Sequence, residues 1–375
     1  MQFVNKINIM ELQKRQFSRE EDLRGPFFRD TTVIIHSYPF RRLRHKTQVF
    51  FSPKNDHICT RIEHVMHVAT IATTICKALS LDTDLAWAIS MGHDLGHTPF
   101  GHTGERIIEQ LFAEKGGFAH ELYSLRVVDK LHRYGKGMNL TYAVRDGIIT
   151  HCGEKFEQSI VPDHTIKDLA AISDRESYPA TWEGAVVRMS DKIAYLGRDM
   201  EDAVRLHVIS PEDLPGNVVS VLGTKNSAII DTLVHDCVAT AGRTGRIGFS
   251  DQVYSALLEL KNFNYEYIYK SRELSRFTAF FERILHTLFS YLQTILSNYR
   301  FSFTKYQQEQ TMLALRFGDY LAKMQTFYEQ EGAKDDQIVI DYLAGMTDDY
   351  AIDCIQEIMI PKEFERFDME LINKR

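Results

Sequence analysis

Apolar residues recur every three or four positions along most of the chain, which is the pattern of amphipathic helices. In residues 60–79 these positions fall on one face of a predicted helix. Asp82 or Thr83 is a favourable N-cap for the next helix, which ends at the dipeptide His93-Asp94. The pattern therefore predicts two consecutive helices, the second of which ends in a histidine and an aspartate.

Glycine and proline interrupt the helical pattern directly after this dipeptide. The segment DLGHTPFGHTGE, residues 94–105, is predicted to be an irregular loop. Short strands are predicted only at residues 32–35 and 48–51. The expected fold class is all-α, with at most a short β-hairpin near the N-terminus. Further helices are predicted at residues 106–114, 120–134, 185–206, 251–270, 276–298, 306–329 and 336–345.

Length and composition fit a globular protein with a sizeable buried core. The chain has 375 residues, of which 44% are hydrophobic and 25% are charged. Its five cysteines lie far apart without a Cys-x-x-Cys pair, so neither a disulfide framework nor a cysteine zinc site is predicted. No apolar run approaches the length that spans a membrane. We therefore expect a cytoplasmic protein with no membrane contact and no targeting segment.

Net charge narrows the range of partners, and the histidines indicate where chemistry is concentrated. The formal charge of −7 does not favour a dedicated nucleic-acid binder, although the basic residues 41–46 leave binding of single-stranded DNA open. Of the 15 histidines, 11 lie between His36 and His151, in less than a third of the chain. This window is therefore the candidate functional region.

Four residues of metal-binding type lie on the predicted helices in the order His64, His93, Asp94 and Asp191. Imidazole nitrogens and carboxylate oxygens together suit Mn, Mg, Fe, Co or Zn. Neighbouring helical residues point about 100 degrees apart, so His93 and Asp94 can share a metal only where the helix ends or turns. The dipeptide alone is weak evidence, because it also occurs at residues 235–236, where we interpret it as coincidental.

The order of these four residues on a helical background resembles that of the HD phosphohydrolase superfamily. The surrounding sequence is similar to the deoxynucleoside triphosphate triphosphohydrolase branch, the dGTPase-like family, and residues 207–335 are the least similar part. Six phrases carry the resemblance: RRLRHKTQVF (41–50), TRIEHVMHVA (60–69), GHDLGHTPFGHTGE (92–105), GGFAHELYSLRVV (116–128), SDKIAYLGRDMEDA (190–203) and YLAGMTDDYA (342–351).

The resemblance also implies a division of the chain. An N-terminal segment, residues 1–55, would contribute to the substrate site. Residues 56–206 would form the HD core, and residues 207–375 would form a C-terminal helical region packed on it. Family members form rings or stacked oligomers and some respond to nucleotides, so the resemblance implies a homo-oligomer with a nucleotide activator.

The resemblance further implies a metal-dependent reaction. One divalent ion (Mn, Mg, Fe, Co, Ni or Zn) would be held by His64, His93, Asp94 and Asp191. The substrate would be dGTP or a broader range of deoxynucleoside triphosphates (dNTPs). The reaction would cut the dNTP between the 5′-oxygen and the α-phosphorus, which releases deoxynucleoside and inorganic triphosphate.

The same resemblance assigns the proton donor and the phosphate-facing groups. His120, oriented by Glu105, would protonate the leaving 5′-oxygen. His97 and His102 would face the phosphates. Glu121 and Tyr123 depart from the residues that many family members carry after the catalytic histidine.

Cationic side chains beside the predicted ligands are candidates for substrate binding. Arg61 lies three residues before His64 on the same helix face, from which its guanidinium can fork onto phosphate oxygens. Lys192 adjoins the last predicted ligand. Lys270 and Arg272 are further candidates for binding the β- and γ-phosphates.

A sugar site is expected on the long predicted helix at residues 185–206. Asp191, Tyr195 and Asp199 are each four residues apart, which places them along about 12 Å of one helix face. The resemblance implies that Gln48, Tyr195 and Asp199 contact the sugar, with Tyr195 excluding a 2′-hydroxyl.

Alternatives stay open for residues and function alike. Glu105 and His120 also fit a helix-capping acid and a first-turn histidine, and Arg61 and Lys192 also fit salt-bridge partners. The rival functions are another HD phosphohydrolase, such as a 5′-nucleotidase or a hydrolase of guanosine signalling nucleotides, and a nucleotide-sensing or single-strand-binding protein. We interpret the following histidines as structural or solvated: His67, His132, His151, His164, His207 and His286.

Overall fold

The helical periodicity of the sequence is realised in a computed structural model, which describes residues 2–20, 22–51, 55–112, 117–153, 156–309 and 311–360. Helices make up nearly all of the regular structure in these residues, so the predicted all-α fold class is confirmed. None of the described helices combines the length and the apolar character that crossing a membrane requires.

Both strand predictions near the N-terminus are wrong. Residues 32–35 belong to a helix that starts at Pro26, whose fixed backbone angle suits the first helical turn. Their β-branched side chains favour a strand, but Thr31 and Ile34 are buried in the core on the inner helix face. Residues 48–51 form bends next to an isolated bridge between Thr47 and Thr60. The N-terminal helices are α1 (Ile9–Leu12), α2 (Pro26–Ile35) and α3 (Tyr38–Arg42).

The central helices form the part of the fold that positions the site. Three of them, α4, α5 and α10, pack against one another, and α2 and α9 cover α5. The predicted N-cap is confirmed, since the Asp82 carboxylate accepts hydrogen bonds from the backbone N–H groups of Asp84 and Leu85. The central helices are α4 (Arg61–Ala78), α5 (Thr83–Gly92), α6 (Gly101–Leu111), α7 (His120–Arg126), α8 (His132–Gly135), α9 (Tyr142–Ile149) and α10 (Trp182–Arg205).

Several predicted helices differ from the structure in their bounds. The helix predicted at residues 306–329 starts only at Met312, after a separate short helix over Phe303–Tyr306. The helix predicted at residues 106–114 starts earlier, at Gly101, and its predicted end lies outside the described residues. The helix predicted at residues 120–134 is regular only to Arg126, continues as a π-helical turn over Val127–Leu131 and gives way to α8.

The C-terminal helices pack onto this centre. Helix α12 contacts α10 and α4, and α14 contacts α6 and α17. The predicted helix at residues 251–270 ends as a π-helical turn over Asn264–Tyr269. The C-terminal helices are α11 (Gly216–Val221), α12 (Asn226–Thr244), α13 (Asp251–Phe263), α14 (Arg272–Tyr299), α15 (Phe303–Tyr306), α16 (Met312–Glu331), α17 (Asp335–Ala344) and α18 (Asp348–Met359).

A two-stranded antiparallel sheet is the one sheet among the described residues. It pairs β1 (Ser159–Ile160) with β2 (Ile247–Gly248) and so joins two segments that are far apart in sequence. Its position differs from the hairpin expected near the N-terminus. The division of the chain at residues 55 and 206 stays a prediction.

The loop between α5 and α6 is held tightly against α7. A Cβ atom on Gly96 would lie 2.2 Å from the Ser124 nitrogen and 2.5 Å from the His120 carbonyl oxygen, so only glycine fits there. The Ser124 hydroxyl accepts from Gly96 N at 2.8 Å and donates to the His93 carbonyl oxygen at 2.6 Å. This contact fixes the start of α7 relative to the end of α5.

Candidate active site

Three helices bring the four predicted metal ligands together. His64 lies on α4, His93 and Asp94 follow the last turn of α5, and Asp191 lies in the middle of α10. The nitrogen His64 Nε2 is 2.9 Å from Asp191 Oδ1 and 3.9 Å from Asp94 Oδ2. The nitrogen His93 Nε2 is 3.4 Å from Asp94 Oδ1 and 4.0 Å from Asp191 Oδ1. These donor atoms therefore lie within one small volume.

The hydrogen bonding of His93 fits a metal ligand. Its Nδ1 is 2.7 Å from the Ser90 carbonyl oxygen, which only accepts, so Nδ1 carries the proton and Nε2 carries the lone pair. The buried Nε2 has no hydrogen-bond partner among the described residues. A buried acceptor without a donor is costly, and a cation held beside the two carboxylates would satisfy it.

Arg61 is bound to protein groups in the structure. Its Nη1 donates to Asp94 Oδ2 at 2.9 Å, and its other nitrogens donate to the carbonyl oxygens of Thr47 and Gln48 at 3.2 and 3.3 Å. Burial acts to raise the pKa of Asp94, but His97, His93 and Arg61 outweigh it and hold that pKa well below its ordinary value. The geometry therefore matches the salt-bridge alternative for Arg61.

Lys192 also has a protein partner. Its ammonium forms an ion pair with the Glu157 carboxylate, which also accepts from Arg188. The Lys192 nitrogen lies 4.9 Å from the centroid of the Phe156 ring, and the Lys261 nitrogen lies 4.5 Å from it. Lys192 therefore lines the cavity of the site and forms an ion pair with Glu157 at the same time.

Glu105 and His120 form a buried pair beside the metal-type cluster. Glu105 Oε1 accepts from the backbone N–H of His120 at 3.0 Å and lies 2.9 Å from His120 Nδ1. Burial acts to lower the pKa of His120, but Glu105, Cys152 and Glu121 outweigh it and raise that pKa well above its ordinary value. The Glu105 carboxylate therefore stabilises the His120 imidazolium through Nδ1 and leaves Nε2 without a bond to that carboxylate.

The two loop histidines occupy different environments. The His97 ring is buried and stacks on the His120 ring with centroids 3.9 Å apart, and its Nε2 lies 3.2 Å from Asp94 Oδ1. The side chain of His102 is 65% exposed and its Nδ1 lies 3.3 Å from Glu105 Oε2. Both line the same cavity, and only His102 is open to solvent.

His151 and Cys152 belong to the cluster, although the sequence interpretation assigned His151 to the scaffold. His151 Nε2 and Cys152 Sγ lie 3.2 Å and 3.4 Å from His120 Nε2. His151 follows α9, which packs on α5 and so brings its end to the site. The clustering of histidines up to residue 151 was the sequence signal that could have identified it.

Arg175 and Glu121 extend the Glu105–His120 pair. Arg175 donates to Glu121 Oε1 at 2.5 Å and to Glu105 Oε1 at 3.2 Å. Glu121 Oε2 lies 3.5 Å from His120 Nδ1. Arg175 lies in a segment without helical periodicity, so sequence patterns gave no signal for its role.

The predicted sugar-binding residues line the same cavity. Tyr195 and Asp199 follow Asp191 on α10, and Asp199 Oδ2 accepts from the Tyr269 hydroxyl at 2.6 Å. Burial raises the pKa of Asp199 to about 7. The buried Gln48 Oε1 has no hydrogen-bond partner among the described residues.

One cavity of about 730 Å³ joins these groups. Asp191, His120 and Asp199 all line it, and Lys261 and Lys270 add cations to its lining. Lys270 was one of the two candidate phosphate-binding residues, and the other, Arg272, starts α14. The cavity is large enough for a nucleotide.

Comparisons with known proteins agree with this geometry. Residues 61–175 match the HD domain family, and residues 247–357 match the phosphohydrolase-associated domain. The first match contains eight of the 11 clustered histidines, and the second includes much of residues 207–335, where none of the six phrases lies. The fold and the site therefore define an HD-domain phosphohydrolase.

Curated relatives narrow this class. A deoxyguanosinetriphosphate triphosphohydrolase-like protein of Caldanaerobacter subterraneus subsp. tengcongensis is 40% identical over 353 residues, which covers 93% of this chain and 90% of that protein. Proteins with the same name from Desulfatibacillum aliphaticivorans and Clostridium tetani are 38% and 36% identical, over 90% and 92% of this chain and 89% and 88% of their own lengths. The chain belongs to the dGTP triphosphohydrolase-like family of HD-domain phosphohydrolases.

Proposed function

We propose that this protein hydrolyses deoxynucleoside triphosphates, dGTP or a broader set, to deoxynucleoside and inorganic triphosphate with the help of a divalent metal ion. The observation that carries the proposal is that three kinds of functional group line one cavity. Metal-type donors, a buried carboxylate–imidazole pair and polar groups beside Asp199 all line it. The names of the relatives point to the same substrate class.

His64, His93, Asp94 and Asp191 are the residues that would hold the metal ion. Their nitrogen and oxygen donors suit Mn, Mg, Fe, Co, Ni or Zn. When bound, such an ion polarises the α-phosphate and lowers the pKa of a water molecule. Arg61 would keep Asp94 ionised and oriented, because it donates to the second carboxylate oxygen at 2.9 Å.

His120 would supply the proton that the leaving group needs. The oxygen of a water molecule would form a bond to the α-phosphorus while the bond from phosphorus to the 5′-oxygen breaks, and His120 Nε2 would donate a proton to that 5′-oxygen. The proton that the water loses would go to solvent, from which His120 would be protonated again. Glu105 would stabilise the imidazolium before transfer, since its Oε1 lies 2.9 Å from Nδ1. His151 Nε2, at 3.2 Å, would accept a hydrogen bond from the His120 Nε2–H until substrate binds, since His151 Nδ1 donates to the Ile148 carbonyl oxygen.

The deoxyribose would lie between α10 and the N-terminal segment. Gln48 Oε1 and the Asp199 carboxylate are buried polar groups that suit the 3′-hydroxyl. Tyr195, one turn before Asp199, would close the space next to C2′ and exclude a ribose hydroxyl. Lys192, Lys261 and Lys270 would attract the β- and γ-phosphates, with Lys192 exchanging its Glu157 partner for phosphate.

The test incubates the metal-loaded protein with each dNTP and each ribonucleotide and separates the products by ion-exchange chromatography. The proposal requires deoxynucleoside and triphosphate from dNTPs, with ribonucleotides at least about tenfold slower. Formation of monophosphate with pyrophosphate, or of diphosphate with phosphate, would refute it. Tyr195→Ala tests the sugar assignment, because it should raise the ribonucleotide rate relative to the dNTP rate.

A further inference from the structure

Arg175 joins two carboxylates that both lie next to His120. It belongs to an irregular segment before α10, and it lines the active-site cavity with a side chain that is 38% exposed. Its Nε donates to Glu121 Oε1 at 2.5 Å, and its Nη2 donates to Glu121 Oε2 at 3.2 Å. Two parallel bonds of this kind are the geometry in which a guanidinium binds a carboxylate most specifically. Both oxygens of Glu121 are therefore bound by one arginine.

The Glu121 carboxylate depends on Arg175 to stay ionised where it lies. Its side chain is 1% exposed, and a buried carboxylate is costly unless a cation pairs with it. Burial acts to raise the pKa of Glu121, but His120 and Arg175 outweigh it and hold that pKa below its ordinary value. In the described part of the chain, Arg175 and His120 are the cationic groups within 4.0 Å of this carboxylate. Loss of Arg175 would therefore leave His120 as the partner of Glu121.

Glu105 and Glu121 both reach the same nitrogen of His120. The Nδ1 atom lies 2.9 Å from Glu105 Oε1 and 3.5 Å from Glu121 Oε2. Because a hydrogen bond is strong only when it is nearly linear, the single Nδ1 proton serves one acceptor at a time. Arg175 Nη2 also donates to Glu105 Oε1, at 3.2 Å, so the same guanidinium fixes the position of both carboxylates.

We propose that Arg175 is a positioning residue, which assigns the Nδ1 proton of His120 to Glu105 by binding Glu121. Were Glu121 to accept this proton instead, the ring would turn and Nε2 would leave its position 3.2 Å from His151 Nε2. Such a turn would slow proton transfer from Nε2 more than it would weaken substrate binding. The statement on proton transfer rests on the proposed function, whereas the choice of acceptor does not.

Kinetics with dGTP on the full-length, metal-loaded protein test the effect on turnover. Arg175→Gln should lower kcat about tenfold and leave KM within about twofold of wild type, because Glu121 then competes for the Nδ1 proton. Addition of Glu121→Gln to this variant should restore most of the lost kcat, since the competing charge is gone. Glu121→Gln alone should keep kcat within about threefold of wild type.

The matched control is Arg145→Gln, which removes a similar guanidinium fork from Asp129, outside the lining of the cavity. It should keep the wild-type kcat and KM. A rise in KM with unchanged kcat in Arg175→Gln would mean that Arg175 binds phosphate, and would overturn the proposal. A double variant no more active than Arg175→Gln would also overturn it, as would a loss in Glu121→Gln as large as that in Glu105→Gln.

The choice of acceptor is tested without hydrolysis by ¹⁵N-edited NMR of the histidine rings in the metal-free protein. The His120 Nδ1–H signal is identified by its loss in His120→Gln. It should shift in Arg175→Gln, return close to its wild-type position in the double variant with Glu121→Gln, and stay unchanged in Arg145→Gln. An unchanged signal in Arg175→Gln would overturn the proposal.

Thermal unfolding shows whether each variant is folded. Should Arg175→Gln fail to fold, Glu121→Gln alone decides the question, because its Nδ1–H signal must stay at the wild-type position and a shift would overturn the proposal. Neither NMR result depends on turnover, so failure of the proposed function would leave this measurement valid.

Discussion

Asp94 is the residue that couples the groups of the active site. Its Oδ2 accepts from Arg61, and its Oδ1 faces several imidazoles. Because these groups share one carboxylate, a proton or metal ion gained by one changes the affinity of the others. The distances from Oδ1 to the imidazole Nε2 atoms are 3.4 Å for His93, 3.2 Å for His97, 4.0 Å for His120 and 4.0 Å for His151.

Substitution of Glu105 tests the assignment of the proton donor. Glu105→Gln removes the charge that raises the pKa of His120, so less of the imidazolium is present at neutral pH. We expect kcat to fall about 100-fold with little change in KM, and the alkaline limb of the pH profile to move to lower pH. Steady-state release of deoxynucleoside between pH 5.5 and 9 measures both, in roughly half-unit steps.

Glu109→Gln is the matched control, because Glu109 lies exposed on the same helix. It should keep the wild-type profile. A Glu105→Gln variant with wild-type kcat and an unshifted alkaline limb would show that His120 does not need this carboxylate.

Asp199 gives a pH-dependent contribution to stability. Burial raises its pKa from the ordinary 3.8 to about 7, so between these values the folded state binds more protons than the unfolded state. The free energy of unfolding of the metal-free protein should therefore fall as the pH rises towards 7 and then level off. Urea unfolding of wild type and Asp199→Asn across this range should show that difference, and parallel curves would contradict it.

The sequence predicted which residues form the site better than it predicted their ion-pair and hydrogen-bond partners. The four metal-type residues could be identified from sequence because their order and the phrases around them resemble the HD phosphohydrolase superfamily, and the structure brings all four together. The partners of Arg61 and Lys192, and the position of Arg175, follow from tertiary contacts between segments without a common period. No spacing rule indicates such contacts.

At the scale of elements, the close contact between the α5–α6 loop and α7 sets the distance from the metal-type cluster to His120. Gly96→Ala would place its Cβ against the backbone of α7, which cannot move as a flexible side chain can. We expect a loss of stability of about 1–3 kcal/mol and a lower kcat. Thermal unfolding and kinetics measure the two effects.

Gly216→Ala is the control for this substitution, because no atom lies within 4 Å of the added Cβ. It should unfold at or near the wild-type temperature. Gly96→Ala with wild-type stability and activity would mean that the loop and α7 are not held as closely as described.

Most helices could be predicted from periodicity, and the errors have physical causes. Helix α2 carries a β-branched run that favours a strand locally, but burial of its inner face and Pro26 at its start favour a helix. The π-helical turns after α7 and α13 keep nearly the same apolar spacing as a regular helix, so the pattern does not reveal them.

At the scale of the whole molecule, segments far apart in sequence close the active site. The Asp348 carboxylate on α18 accepts from the backbone N–H groups of Thr47 and Phe100, at 3.0 and 2.9 Å. The Phe100 ring stacks on Phe281 of α14 with centroids 4.2 Å apart. Asp348 belongs to the phrase YLAGMTDDYA, residues 342–351. This phrase therefore has a structural role, because it connects the N-terminal segment to the histidine-rich loop.

Metal binding should stabilise the whole fold, because the ligands come from three helices. A divalent ion at 100 times its Kd adds about 2.7 kcal/mol to the free energy of unfolding. His120→Gln should keep this gain, whereas Asp191→Asn should lose most of it. Thermal unfolding with and without Mn²⁺, in the absence of nucleotide, measures the gain, and an equal gain in both variants would contradict the ligand assignment.

The most direct test of the central claim is the fate of oxygen from water. dGTP is hydrolysed by the metal-loaded protein in ¹⁸O-enriched water, and both products are analysed by mass spectrometry and ³¹P NMR. Attack at the α-phosphorus with His120 protonating the 5′-oxygen predicts that the label enters inorganic triphosphate alone. Label in the deoxyguanosine hydroxyl, or in a monophosphate released with pyrophosphate, would contradict the account.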